Sequence, residues 1–223
     1  MKLDDPALDA LLTRLHKRSE EQLDEIFTYF SKQMEEGRLW QVDDPDRKVF
    51  MSDKLVALDR EKALFCYQLC RATNARHVVE IGTSYGVSTL YLAAAIHDNG
   101  PGAPRAVVGT EYEPNKAARA AEHLRLAGLD AYVDLRVGDL RKTLVDLDGP
   151  IDVVLIDIWT EMARPAIEIV SPKLREGSIV LCDNTESYRE QYGEYFAFIN
   201  DPANRFLTMT LPFRGGFELT VRV

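Results

Sequence analysis

The stretch from Arg76 to Leu92, RHVVEIGTSYGVSTLYL, constrains the fold more than any other part of the chain. Val78, Val79 and Ile81 form a short apolar run of the kind a strand covered on both faces requires, and the run stops at Gly82. Gly86 then opens an apolar-periodic segment, so the order is strand, tight turn, helix. Glycine allows a sharp turn and a close approach of backbone to ligand, and the free N–H groups of the following helix face whatever is bound. Glu80 stands just before the turn. A carboxylate there repels a pyrophosphate and attracts an ammonium group or ribose hydroxyls, which favours S-adenosylmethionine over NAD. Taken alone, the turn fits a purely structural role equally well.

The pattern recurs downstream. AVVGTEYEP (106 to 114) reads as a second strand ending in Glu111, and NKAARAAEHLRLAGL as an Ala-rich helix closed by Gly128. YVDLRVGD (132 to 139), PIDVVLIDIW (150 to 159) and GSIVLCDN (177 to 184) read as further strands. FLTMTLPF and FELTVRV flank Arg214, Gly215 and Gly216 as a closing hairpin. Strands and helices alternating in this way predict an α/β fold: a Rossmann-like, mostly parallel doubly wound sheet with a C-terminal antiparallel hairpin.

Ahead of this unit, Leu8, Leu11, Leu12 and Leu15, then Leu23, Ile26, Phe27, Phe30 and Met34, recur at helical spacing, and Gly37 can end the segment. The expected division is an N-terminal helical extension over 1–51 and the main domain over 52–223. The apolar stripe of the extension packs on the core, forms a lid or joins two copies as a homodimer, and spacing alone does not choose. His16, among charges, is expected to be solvated, and WQVDDPDRK is expected to be a loop. In SDKLVALDREKALFCYQLCRA, Asp59 is the expected cap of a helix entered at Arg60, and Cys66 and Cys70, four apart, are expected to be buried thiols.

With 27 Lys and Arg against 36 Asp and Glu, the net charge is −9, which argues against nucleic acid and anionic membranes as partners. No stretch approaches the roughly 18 apolar residues of a spanning helix, and the acidic start MKLDDPALDA does not resemble a leader peptide. Three cysteines are too few and too unevenly placed for a disulfide framework. The expectation is a cytoplasmic protein acting on a small molecule.

Ligands of doubly wound sheets bind outside the carboxyl ends of the strands. There the chain sets Glu80 and Gly82, then Glu111, then Gly138 and Asp139, then Asp157, then Asp183 and Asn184. One acid at a strand end is ordinary capping chemistry, whereas acids or amides at all five ends point to a shared ligand. Glu111 lies farther from Gly82 than the roughly 20 residues of the dinucleotide fingerprint, with HDNGPGAPR as the insertion between them. Its carboxylate suits a pair of ribose hydroxyls, or else simply a helix dipole.

Through VVEIGTSYGVS, VVGTEYEP, VGD, IDVVLIDIW and IVLCDN, the chain from about residue 52 onward resembles the class I S-adenosylmethionine-dependent methyltransferases, in particular the metal-dependent catechol and caffeoyl-CoA O-methyltransferases. The resemblance implies that Glu80 holds the methionine amino group, Glu111 the ribose and Ser88 the methionine carboxylate, with Asp139 in the adenine-binding segment. It also implies a divalent metal on Asp157, Asp183 and Asn184, Asp157 serving both catalysis and the cofactor site. Two carboxylates and an amide oxygen are hard ligands that suit Mg²⁺, which would acidify and orient a chelating catechol; the same three residues also suit turns and caps.

One position departs from the pattern. The family's general-base lysine, three residues after the metal aspartate, is here Thr160, whose neutral hydroxyl cannot take that role at neutral pH. Glu161 is the nearest titratable group, and it can equally face solvent. Thr160 also leaves room for a nitrogen or sulfur acceptor needing no strong base, or for a cofactor-binding module without methyl transfer; a dehydrogenase is a distant third reading. Tyr188, Tyr192, Tyr195, Phe196 and Phe198 follow the Asp-Asn pair at near-helical spacing and suit core packing better than a substrate clamp, and no chemistry falls to His77, His97 or His123. If a missing base limits the reaction, Thr160→Lys should raise turnover of a simple catechol, measured by product formation at saturating cofactor; unchanged turnover would count against that account.

Overall fold

The computed structural model describes Leu3 and residues 5–38, 44–100 and 106–223. Seven strands form one sheet: β1 (Val78–Ile81), β2 (Val107–Glu111), β3 (Val133–Val137), β4 (Ile151–Ile156), β5 (Leu174–Asp183), β6 (Phe206–Leu211) and β7 (Phe217–Arg222). Their order is β3-β2-β1-β4-β5-β7-β6. The first five are parallel, and β7 inserts antiparallel between β5 and β6. The order reverses at β1 and β4, and the gap outside their carboxyl ends is where a doubly wound sheet opens for a ligand. The predicted α/β architecture, including the closing hairpin, is borne out.

Nine α-helices accompany the strands among the described residues: α1 (Pro6–Glu21), α2 (Leu23–Glu35), α3 (Pro45–Met51), α4 (Arg60–Ala72), α5 (Val87–Asp98), α6 (Pro114–Leu126), α7 (Leu140–Thr143), α8 (Thr160–Val170) and α9 (Gly193–Ile199). Alternation along each strand divides the core in two. Val78, Val107, Val153, Leu155, Ile179 and Leu181 face one side, where they meet α1, α4, α5 and α6. Val79, Ile81, Val154, Ile156, Val180 and Cys182 face the other, against α7, α8 and α9. None of the helices is long and apolar enough to cross a membrane, among the described residues.

The N-terminal apolar stripe folds as a helix pair, with Gly37 in the left-handed conformation just beyond α2. Leu8, Leu11, Leu12 and Leu15 of α1 enter the same core as α5, whereas Leu23, Phe27 and Met34 of α2 stay exposed. The segment entering α4 is tied to this pair: Ser19 Oγ accepts from the Ala57 amide and Gln22 Oε1 from that of Leu55, both at 3.0 Å. One expectation fails here and another is met in part. Residues 45–48, read as loop, belong to α3, because Asp44 caps the amides of Asp46 and Arg47 and Pro45 fits the first helical position; residues 40–43, read with them, lie outside the described residues. Asp59 sits at the N-cap of α4 without making a side-chain cap bond.

His16 is also not solvated. It is buried against α5, its Nε2 3.2 Å from the Tyr91 hydroxyl. Burial, reinforced by the Arg60 guanidinium, lowers its pKa to about 4. The folded chain therefore keeps a neutral imidazole where the unfolded chain, with an ordinary pKa near ~6.5, takes up a proton. This contribution to stability is present above about pH 6.5 and is lost as the pH falls toward about 4. Thermal unfolding at pH 7.5 and pH 5 should differ less in His16→Gln than in the wild type; an equal difference would remove His16 from the account.

Candidate active site

The strand alternation that builds the core also places the acids. Glu80 follows Val78 on the face turned to α4 and α5, Asp183 follows Ile179 and Leu181, and Asp157 continues the row of Val153 and Leu155 one residue past β4. Three carboxylates at the ends of three adjacent strands thus share one side of the sheet.

Glu80 is completely buried. Its Oε2 accepts from the hydroxyls of Thr83, at 2.8 Å, and Thr89, while its Oε1 has no partner. Burial pushes the carboxyl above its usual range, and the hydroxyls of Ser88, Thr89 and Thr83 pull it back. Ser88 itself is buried in the first turn of α5. Glu111, at the end of β2, uses Oε2 on the Ser84 amide (2.6 Å) and Oε1 on the Glu113 amide (2.8 Å), so one carboxylate spans the turns that follow β1 and β2. Ser84 has a φ of 50°, a left-handed turn residue held in place by that bond.

Gly82, with a φ of 102°, has a packing reason to be glycine. A Cβ there would stand 1.8 Å from the Asp157 carbonyl oxygen. The Asp157 amide also donates to the Ile81 carbonyl at 2.9 Å, so the ends of β1 and β4 are held together in backbone contact.

Asp139 caps α7 through the Arg141 amide, and its carboxylate receives the Arg141 guanidinium on both oxygens, at 2.6 to 3.0 Å. Those hydrogen bonds hold its carboxyl down at about 2. Thr160 begins α8, its hydroxyl 3.4 Å from Glu161. Glu161 in turn pairs with Arg47 of α3 at 3.1 Å, and Arg47 also lies 4.6 Å from the Trp159 ring centroid. Neither Thr160 nor Glu161 presents a free base. Tyr192 and Tyr195 are buried core residues beside Cys182, as the packing reading has it.

The residue that sequence reasoning missed is Lys62. It lies on α4, 1% exposed, and its ammonium donates to Asp183 Oδ1. Its Nζ is 5.6 Å from the Phe217 ring centroid. Asp183 Oδ2 accepts from the Asn184 amide nitrogen at 3.0 Å. The Asn184 oxygen lies over Gly215, where an added Cβ would come within 2.9 Å of it. Burial, with Asp183 and Glu80 nearby, drives the Asp157 carboxyl well above the usual carboxylate range, and Lys62 opposes that shift. Asp183 is also raised by burial, again against Lys62.

Tested as a metal set, Asp157, Asp183 and Asn184 do not fit in this arrangement. Asp183 is engaged at both oxygens, and Asn184 turns its N–H group rather than its oxygen to the carboxylate. Among the described residues, no three His, Cys, Asp or Glu side chains converge as metal ligands either. Tested as a cofactor cradle, the first turn does fit: an orphaned, buried carboxylate oxygen at the sheet's switch point calls for a cationic donor.

Residues 79–185 match the family described as methyltransferase domain. That stretch is similar to a methyltransferase domain. The matched stretch runs from within β1 to just past β5, and so includes every strand end described above. The chain is 35% identical over 130 residues to a catechol O-methyltransferase of Mycobacterium tuberculosis, covering 58% of this chain and 57% of that protein. It is 34% identical over 125 residues to a catechol O-methyltransferase of Niastella koreensis, covering 52% and 51%. The chain thus spans about half the length of the curated relatives it matches. Among solved structures, TomG, an O-methyltransferase of Streptomyces achromogenes in complex with SAM, superposes with a TM-score of 0.64 at 22% identity, covering 89% of this chain and 96% of that one. An O-methyltransferase of Bacillus cereus in complex with SAH gives 0.65 at 22%, covering 75% and 83%. The resemblance to class I methyltransferases of the catechol and caffeoyl-CoA type is borne out.

Gly82→Ala should cost the fold at least about 3 kcal/mol, from left-handed strain and overpacking together. Gly37→Ala, with a φ of 68° but nothing within 4 Å of the new Cβ, should cost about 1 kcal/mol. Urea unfolding of the two variants measures the difference, and equal costs would mean that the contact between β1 and β4 is looser than described.

Proposed function

We propose that the chain transfers the sulfonium methyl of S-adenosylmethionine to a hydroxyl oxygen of a small, aromatic, catechol-like acceptor. The observation that carries this reading is the fully buried Glu80, with one oxygen satisfied by threonine hydroxyls and the other without a partner at the carboxyl end of the central strand. The names of the relatives and of the ligand-bound neighbours support it.

In this reading Glu80 takes the methionine ammonium group on its open oxygen, and Ser88, in the first turn of α5, stands by the methionine carboxylate. Glu111 holds the ribose hydroxyls with the lone pairs left over from its two amide bonds, and Asp139, fixed by Arg141, borders the adenine. Gly82 allows the turn to run close under the ligand. When bound, the cofactor would supply an electrophilic methyl group on a positively charged sulfur and would leave as the neutral thioether, the acceptor's hydroxyl proton passing to water. Asp157 stands between the two halves of the site, its carboxyl close to both Glu80 and Asp183. No step passes through a divalent ion, because Asp183, the carboxylate that would anchor one, is engaged by Lys62 and Asn184.

A second reading keeps the cofactor and changes the acceptor to nitrogen or sulfur. Thr160 favours it, because an acceptor with a free lone pair needs no base at that position.

Calorimetry and a methylation assay test both. Glu80→Gln removes the charge and should weaken S-adenosylmethionine binding about 10- to 100-fold, the worth of one charged hydrogen bond. Mass spectrometry over phenols, amines and thiols should show methylated phenol as the main product. Amine or thiol products alone would favour the second reading, and tight cofactor binding with no product would leave a binding module.

A further inference from the structure

At the strand ends the chain has a cation of its own. Asp183 and Asn184 close β5, and the family resemblance calls for a metal there, yet the Lys62 ammonium reaches Asp183 from α4. We propose that Lys62 is the resident cation of the acceptor side of the site, standing in the charge role of a divalent ion, so that methyl transfer by this chain is independent of added metal. The proposal rests on the methyltransferase reading given above, and the test below separates the two.

Three observations carry it. Lys62 is buried to 1% exposure, and a lysine is almost never buried so fully unless its charge is matched. Its match is the carboxylate that a metal would need, and the second oxygen of that carboxylate accepts from Asn184, so both oxygens of Asp183 are taken. Lys62 also lines a cleft of about 250 Å³ between the first turn of α4 and the β6–β7 connection, together with Asp59, Arg60, Glu61, Phe213 and Arg214. Lys62 thus joins the two: its ammonium is on the acid cluster, and the residue borders the cleft at the edge of the sheet.

A single positive charge cannot chelate two oxygens as a divalent ion does. It donates hydrogen bonds, and an ammonium held by one carboxylate retains N–H groups for another acceptor. An acceptor hydroxyl or phenolate oxygen meeting Lys62 would therefore be placed by one hydrogen bond, and a vicinal diol would gain nothing from its second oxygen. The acceptor class follows: single phenolic hydroxyls should serve as well as catechols. Lys62 is a positioning residue in this account, acting on Asp183 and on the acceptor's placement.

Mn²⁺ binding, followed by the loss of the free-ion electron paramagnetic resonance signal on the full chain with S-adenosylmethionine present, tests the charge role without any turnover. The wild type should take up no stoichiometric Mn²⁺ and show no change in melting temperature with Mg²⁺ or chelator. Lys62→Met leaves the acids without their cation and should bind Mn²⁺ at least about tenfold more tightly than the wild type. Adding Asp157→Asn to Lys62→Met should abolish that gain. One Mn²⁺ per wild-type chain, lost in Asp157→Asn, would overturn the proposal. If Lys62→Met fails to fold, the wild-type titration alone decides. Failure of cofactor binding or of all methyl transfer would instead strike the methyltransferase reading and leave the metal measurement standing.

Discussion

Three carboxylates lie at the carboxyl ends of β1, β4 and β5, on one side of the sheet and largely out of water. Like charges so placed repel one another, and burial alone penalises each of them, so the fold must either neutralise them or bring positive charge to them. Lys62 does part of this. It answers Asp183 directly and Asp157 at a distance, while the threonine hydroxyls answer only one oxygen of Glu80. The remaining negative charge lies on the half of the cluster nearest the first glycine turn, which is where a cationic ligand has most to gain. The two halves of the cluster thus differ: one has an internal cation, and the other keeps a carboxylate oxygen without a partner.

Much of this was legible in the sequence, because it depends on alternation. Val78 and Glu80, Val153, Leu155 and Asp157, and Ile179, Leu181 and Asp183 are period-two rows ending in an acid, and period two is what decides which face a strand residue takes. Lys62 escaped for the opposite reason. It belongs to a helix, and a lysine beside Glu61 in a charged first turn looks solvated. The signal was present in the row Lys62, Cys66 and Cys70, all three buried at intervals of four. A charged residue on the buried row of an amphipathic helix asks for a partner, and the acids at the strand ends were waiting for one. His16 was misread in the same way, since its charged neighbours along the chain do not tell what lies across the helix. The helix over residues 45–51 was hidden by Asp and Pro, which mark turns and helix starts alike.

The bonds from Ser19 and Gln22 to the segment before α4 have a bearing on how the chain can be divided. By hydropathy pattern, residues 1–51 look like an appendage to a self-sufficient unit. Yet the stretch they hold leads within a few residues to Lys62, and α1 itself covers part of the core next to α5. Cutting the chain at that seam would expose an apolar wall and untether the base of the helix that carries the site's cation. The two parts are joined by these contacts, through which the N-terminal helices help to set the geometry at the sheet's edge.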